Sequence, residues 1–244
     1  HAPNRIALRA NRADGGYRLD GSKRFVPDGQ HADMFIVVGR TSGEATDEAG
    51  IGLFLVPRDA DGVAVQTLNT LDAHGAAHLV FDGAVGTPIG KVDEGYPVLD
   101  AVLDRARAGL AAEMLGSASA AFEMTLDYLQ TRKQFGQLIG SFQALQHRAA
   151  IMFTELELTR SAVVAALSAI DAGRADVAAL ASLAKARAGE TLHLVTNETV
   201  QLHGGIGMTD AHDSGFYLKR ARVMEALYGG EAFHRDRYAR LNGF

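Results

Sequence analysis

Residues 142–172 read FQALQHRAAIMFTELELTRSAVVAALSAIDA, and the spacing within this stretch decides how the larger half of the chain folds. Leu145, Ala149, Met152, Leu156, Thr159 and Val163 recur at steps of four and three, which lines them along one face of a long α-helix. Gly173 follows as a C-cap candidate, because glycine takes the left-handed conformation that ends helices without steric cost. Working outward, 98–132 is rich in Ala, Leu, Met and Glu and stops before Gly136, so it predicts a second long helix. A third spans 175–203 and ends at Gly204-Gly205, and shorter helices are expected over 215–227 and 231–241. Long, Ala-rich helices with short links form an antiparallel four-helix-bundle domain, here over 95–244.

Upstream of Gly95-Tyr96-Pro97 the texture changes. Ile6, Leu8 and Ala10 alternate with polar residues, Asp14-Gly15 supplies a tight turn, and Tyr17 and Leu19 resume the alternation, which is a hairpin pattern. Apolar runs at 34–38, 51–56, 63–68 and 78–81 follow, punctuated by Gly, Asp and Pro, with 41–50 as a polar loop. Several short strands predict a small antiparallel β-barrel or sandwich over 1–92. The fold class is α+β, strands first and helices second.

The 244 residues contain no cysteine, which excludes disulfides, thiolate nucleophiles, Cys-type zinc sites and iron–sulfur clusters. With 47% hydrophobic and 22% charged residues the chain reads as globular, and its net charge of −5 gives no nucleic-acid footprint. No run of about 18 apolar residues is present, so no membrane span is expected and the chain reads as cytoplasmic. The opening His1-Ala2-Pro3-Asn4 has neither an initiator Met nor the apolar core of a leader, and reads as the edge of a longer protein.

Generic motifs add little. Gly204-Gly205-Ile206-Gly207 ends a helix, whereas a dinucleotide fingerprint opens one, so it reads as a C-cap. His74 and His78 stand four apart in strand territory without a companion carboxylate, and no metal site is assigned.

Longer stretches are more specific. Arg132-Lys133-Gln134-Phe135-Gly136-Gln137-Leu138-Ile139, Phe142-Gln143-Ala144-Leu145-Gln146-His147, Gln201-Leu202-His203-Gly204-Gly205-Ile206-Gly207 and Lys219-Arg220-Ala221-Arg222-Val223 together closely resemble signatures of the acyl-CoA dehydrogenase family. Tyr17–Phe25 resembles the strand pair before that family's flavin-contacting segment, and Leu103-Asp104-Arg105-Ala106-Arg107 the start of its first bundle helix. The resemblance implies a middle β-barrel domain and a C-terminal helical domain, with the family's N-terminal helical domain outside this chain. It further implies FAD at a subunit interface of a tetramer, α,β-dehydrogenation of an acyl-CoA in fatty-acid or steroid degradation, and electron-transfer flavoprotein as acceptor. Carried over by position, Arg132, Gln134, Phe135, Gln143, Gln201, Gly204 and Gly205 would meet the ADP half of a neighbouring subunit's FAD, and Phe25 replaces a flavin-stacking tryptophan.

The chemistry also needs a carboxylate beside the thioester's α-carbon, and here the resemblance breaks. The family's glutamate falls on Tyr228, or on Gly229 if the preceding tyrosine is aligned instead, and the alternative position on the first bundle helix is Ala106. No catalytic residue is assigned. A hydroxyl residue that usually meets the flavin becomes Pro27, which has no backbone donor. Three readings follow. The chain is a subunit of a heteromeric, heterotetrameric acyl-CoA dehydrogenase whose glutamate-containing homologue supplies the base. Alternatively it is a self-sufficient homotetramer with a displaced base, for which Asp104 and Glu231, otherwise ordinary exposed helix carboxylates, are nearest. The third is a flavin monooxygenase or oxidase, or a non-catalytic binding protein, on the same fold.

Overall fold

Asp14-Gly15 turns the first hairpin in the computed structural model, which covers residues 1–244. Gly15 has φ +82°, and the turn joins β1 (Arg9–Ala13) to β2 (Gly16–Pro27) with Ala13 opposite Gly16. Four further strands follow, β3 (Met34–Arg40), β4 (Ile51–Pro57), β5 (Val63–Leu68) and β6 (Ala76–Ile89). Antiparallel pairings β1–β2, β2–β6, β6–β4 and β4–β3, with a parallel contact of β3 on β1, close a ring of five strands. β5 lies alongside β6. Alternation delivers Phe35 and Val37 inward and leaves Met34 and Ile36 exposed, and the interior holds Leu8, Leu19, Phe54, Val56, Leu79 and Phe81.

β6 is far longer than the 78–81 run suggests. Asp82 to Ile89 contains glycines and a proline and so reads as a turn, yet it pairs with β2 and β4. Gly83, at φ +67°, accommodates an irregularity in which its N–H donates to the Asp20 carboxylate at 2.9 Å. The polar loop over 41–50 is organised by Arg40, which is 1% exposed. Its guanidinium donates to the carbonyls of Asn4, Ile6, Ser42, Ala45, Ala49 and Asp47, so the loop turns its acceptors inward around one buried cation.

The helices are α1 (Tyr96–Thr131), α2 (Gln143–Asp171), α3 (Val177–His203), α4 (Ser214–Ala226) and α5 (Glu231–Leu241). A two-stranded hairpin, β7 (Lys133–Gln134) and β8 (Gln137–Leu138), connects α1 to a 3₁₀ turn and α2. Met152, Leu156, Thr159 and Val163 of the α2 stripe are buried, while Leu145 and Ala149 are half-buried at its start. Met114 and Ala118 of α1 share one buried cluster with Ala184, Ala188 and Leu192 of α3. Hydroxyls inside the bundle pair with each other, Thr125 with Thr199 at 3.0 Å and Thr159 with Thr191 at 2.7 Å, which satisfies these four buried groups. By contacts the chain divides into Ala2–Ala101 and Val102–Phe244, with His1 counted in the second unit. No helix is long and apolar enough to cross a membrane.

Candidate functional site

The family-like residues of the helical unit gather where α1 and α3 end and α2 begins. Tyr128 on α1 and His203 on α3 stack with ring centroids 4.4 Å apart, and Thr125 and Thr199 pair one turn earlier, which fixes the two helix ends side by side. The Ile139 N–H donates to the Arg132 carbonyl and Phe142 stacks edge-on to Phe135 at 6.1 Å, tying the hairpin and the start of α2 to the same end. Arg132, Gln134, Phe135, Gln143, Gln201, Gly204 and Gly205 are all exposed there.

The hairpin that presents Phe135 is strained by its own sequence. Phe135 and Gly136 sit at the centre of a two-residue turn with φ +52° and +79°, the double left-handed geometry that matches strand twist. Gly136 takes it freely, but a residue with a Cβ pays about 1–2 kcal/mol. At 92% exposure the ring has its edge-on contact with Phe142 and little burial to offset that cost. Gly204, at φ +65°, caps α3, and neither it nor Gly205 has any atom within 4 Å of where a Cβ would stand, so both backbones are open to an approaching ligand. One guanidinium, three carboxamides and bare glycine backbone make a donor set suited to a diphosphate and its nucleoside. The residues present therefore fit the ADP portion of FAD.

In the β unit, Phe25 and Pro27 end β2. The β2–β6 register slips between Lys23 and Val26, so Arg24 and Phe25 loop out of the ladder. Phe25 has φ +54°, is 49% exposed, and donates its N–H to His78 Nδ1 at 3.1 Å. Phe25 is thus displayed at the surface of the β unit.

The corner between α4 and α5 carries the positions where a base is missing. Tyr228 and Gly229 both have positive φ, +56° and +108°. The Tyr228 carbonyl accepts from Arg107 Nε at 3.4 Å and from His234 Nε2 at 3.2 Å, and the Gly229 carbonyl accepts from Lys185 Nζ at 3.2 Å. His234 is fully buried; burial, then Lys185 and Arg107, push its pKa down to about 3, so it stays neutral and donates from Nε2. Burial likewise lowers Lys185 to about 8. Ala106, half-buried on α1, offers no polar group.

Asp104 corrects the expectation of an exposed helix carboxylate. It is 5% exposed, pairs with Arg107 at 2.7 Å, and is gripped by both guanidinium nitrogens of Arg237 at 2.7 and 3.0 Å. Both carboxylate oxygens are taken up by arginine donors inside the helical unit, so the displaced-base candidacy fails on geometry. Glu231 is exposed and pairs with Arg235 at 2.9 Å.

Sequence reading missed the cluster of Lys185, His234 and Arg237 altogether. The one available signal was Asp104 three residues before Arg107, a spacing that predicts an ion pair on a helix but says nothing of burial.

Comparison with known proteins follows the same division. The family model for the acyl-CoA dehydrogenase middle domain matches residues 3–84, and that for the acyl-CoA dehydrogenase C-terminal domain matches residues 93–241. The short/branched chain specific acyl-CoA dehydrogenase of Rattus norvegicus mitochondria is 32% identical over 225 residues, 89% of this chain and 51% of the relative. A solved structure of the Tcur3481-Tcur3483 steroid ACAD is 32% identical, with a TM-score of 0.87 over 98% of this chain and 63% of that one. The ChsE4-ChsE5 complex from Mycobacterium tuberculosis is 28% identical, with a TM-score of 0.87 over 97% of this chain and 63% of that one. The chain thus spans about half the length of the first curated relative and under two thirds of these solved chains.

Proposed function

This chain belongs to the acyl-CoA dehydrogenase family, and from that membership we propose that it is the base-lacking subunit of a heteromeric, FAD-dependent enzyme that dehydrogenates a steroid or fatty acyl-CoA. The observation that carries the reading is the contrast between its two ends. At the α1–α3 end, Arg132, Gln134, Phe135, Gln143, Gln201, Gly204 and Gly205 stand exposed with the donor chemistry an ADP moiety needs. At the α4–α5 corner, Ala106, Tyr228 and Gly229 supply no carboxylate, and Asp104 is locked between arginines.

FAD, when bound, accepts the hydride that leaves the acyl β-carbon. This chain's part is to bind and orient. Arg132 would offer a forked pair of donors to the diphosphate, the carboxamides of Gln134, Gln143 and Gln201 would supply hydrogen bonds to polar atoms of the nucleotide, and Phe135 would supply an apolar contact. The α-proton is taken by the glutamate of a homologous partner chain. Phe25 marks this chain's own flavin-facing position, whose neighbours have lost their function. The similar Tcur3481-Tcur3483 and ChsE4-ChsE5 structures support a two-chain arrangement by bearing two-chain names. The assembly is a cytoplasmic heterotetramer that passes electrons to an electron-transfer flavoprotein.

The test is turnover of acyl-CoA by the chain alone, by a glutamate-containing homologue alone, and by the two together. Activity is expected only with both, and it should vanish when the homologue's glutamate is replaced. Full turnover by this chain alone would overturn the reading.

A further inference from the structure

The corner that lacks its base is also filled. A Cβ built on Gly229 would stand 2.6 Å from Phe233 Cδ1 and 3.1 Å from both Phe233 Cε1 and His234 Nε2. Real carbon contacts do not approach 2.6 Å, so any side chain at 229 requires the Phe233 ring to shift. His234 cannot make room, since it is fully buried and held by the Tyr228 carbonyl on one ring nitrogen and Ser182 on the other. The Phe233 ring also lies under the Arg107 guanidinium, 5.6 Å from its centroid, and meets the His234 ring edge-on at 5.0 Å. Between the two base positions left open by alignment, the Tyr228 side chain packs against the helical core, whereas a side chain at 229 would project toward Phe233, the ring that Arg107 overlies, and His234.

We propose that Phe233 is a plug: it occupies the volume in front of Arg107 that a carboxylate at position 229 would need, so this chain's inability to act as a base is set by two residues rather than one. The proposal rests on the base-lacking reading above and deepens it. An aromatic face attracts a guanidinium without offering a hydrogen-bond acceptor, so the ring occupies the space beside Arg107 without creating a proton acceptor. Restoring a glutamate at 229 alone therefore cannot rebuild the site.

The experiment is a double-mutant cycle on the full chain in its assembled oligomer, using Gly229→Ala, Phe233→Ala and the pair. The backbone strain of a Cβ at φ +108° is common to both Phe233 backgrounds, so the coupling isolates the contact with the ring. Gly229→Ala is expected to lower the melting temperature by about 5 °C in the native background. At least half of that loss should be absent when residue 233 is alanine. An equal loss in both backgrounds, including failure to fold in both, overturns the plug. A second arm repeats the melting measurement with Gly229→Glu in the two Phe233 backgrounds. The glutamate should lower the melting temperature by more than alanine does beside the native ring, and at least half of that loss should be absent with Phe233→Ala. An equal loss in both backgrounds overturns the proposal. Turnover by the unmodified chain would instead remove the base-lacking reading, and the melting-temperature coupling would still report whether Phe233 occludes position 229.

Discussion

Asp104 is the residue on which the helical unit's buried charges turn. It pairs with Arg107 and Arg237, and Arg107, with Lys185 and His234, holds the carbonyls of the Tyr228–Gly229 corner. Asp104→Asn leaves two buried guanidiniums without their counter-charge and is expected to destabilise the chain by about 3–5 kcal/mol, measured by chemical denaturation. A change under 1 kcal/mol would show that the network is solvated. Lys185 makes a second, pH-dependent prediction. Its folded pKa of about 8 lies below the ordinary 10.5, so between those values the unfolded chain holds a proton that the folded chain has released. Stability should therefore rise as pH climbs from about 8 toward 10.5, with the full burial cost present below 8. Lys23, lowered to about 8 by burial, contributes with the same sign, so Lys185→Met should flatten part of the rise and leave the rest. An unchanged slope would place Lys185 in solvent. None of this was legible from residue types alone. Asp104, Lys185 and Arg237 look like surface charges on Ala-rich helices, and only the tertiary packing of α1, α3 and α5 buries them together.

At the scale of elements, legibility followed the strength of periodicity. The α2 stripe, the glycine stops and the Asp14-Gly15 hairpin repeat a local rule over enough residues that packing had nothing to override. β6 failed because its second half breaks the alternation with Gly83, Gly86 and Pro88, and only pairing with β2 and β4 makes it a strand. The β7–β8 hairpin was visible as a family signature but not as a strained element. Its strain leads to a prediction. Phe135→Asn replaces a residue unsuited to φ +52° with one that tolerates it, so the unassembled chain should gain about 0.5–1 kcal/mol. The same substitution removes the exposed ring and should lower FAD retention in the assembly. Denaturation of the isolated chain and flavin absorbance of the assembled one read the two effects separately. A variant that is more stable and equally rich in FAD would mean the ring has no partner there.

For the whole molecule, the two-chain reading makes the flavin contacts asymmetric. The exposed donors of this chain serve a site whose flavin face and base belong to the partner, while this chain's own flavin face, at Phe25 and Pro27, serves none. A homomeric enzyme would need both ends in every protomer. Arg132→Ala should therefore weaken FAD binding in the assembly, since losing hydrogen bonds to a charged diphosphate costs about 1.5–3 kcal/mol. That corresponds to a drop of about 10- to 150-fold in affinity. Phe25→Ala, by contrast, removes an aromatic ring 49% exposed at the end of β2 and should leave FAD content and turnover nearly unchanged. The corresponding aromatic substitution in the glutamate-containing partner should reduce both. Titrating flavin into the stripped assembly checks all three variants at once, with about one FAD per pair of chains expected at saturation. A stoichiometry of one per chain, with Phe25→Ala as damaging as Arg132→Ala, would show that this chain completes its own flavin site. The search for a base would then have to return to the α4–α5 corner, where Phe233 stands against Gly229.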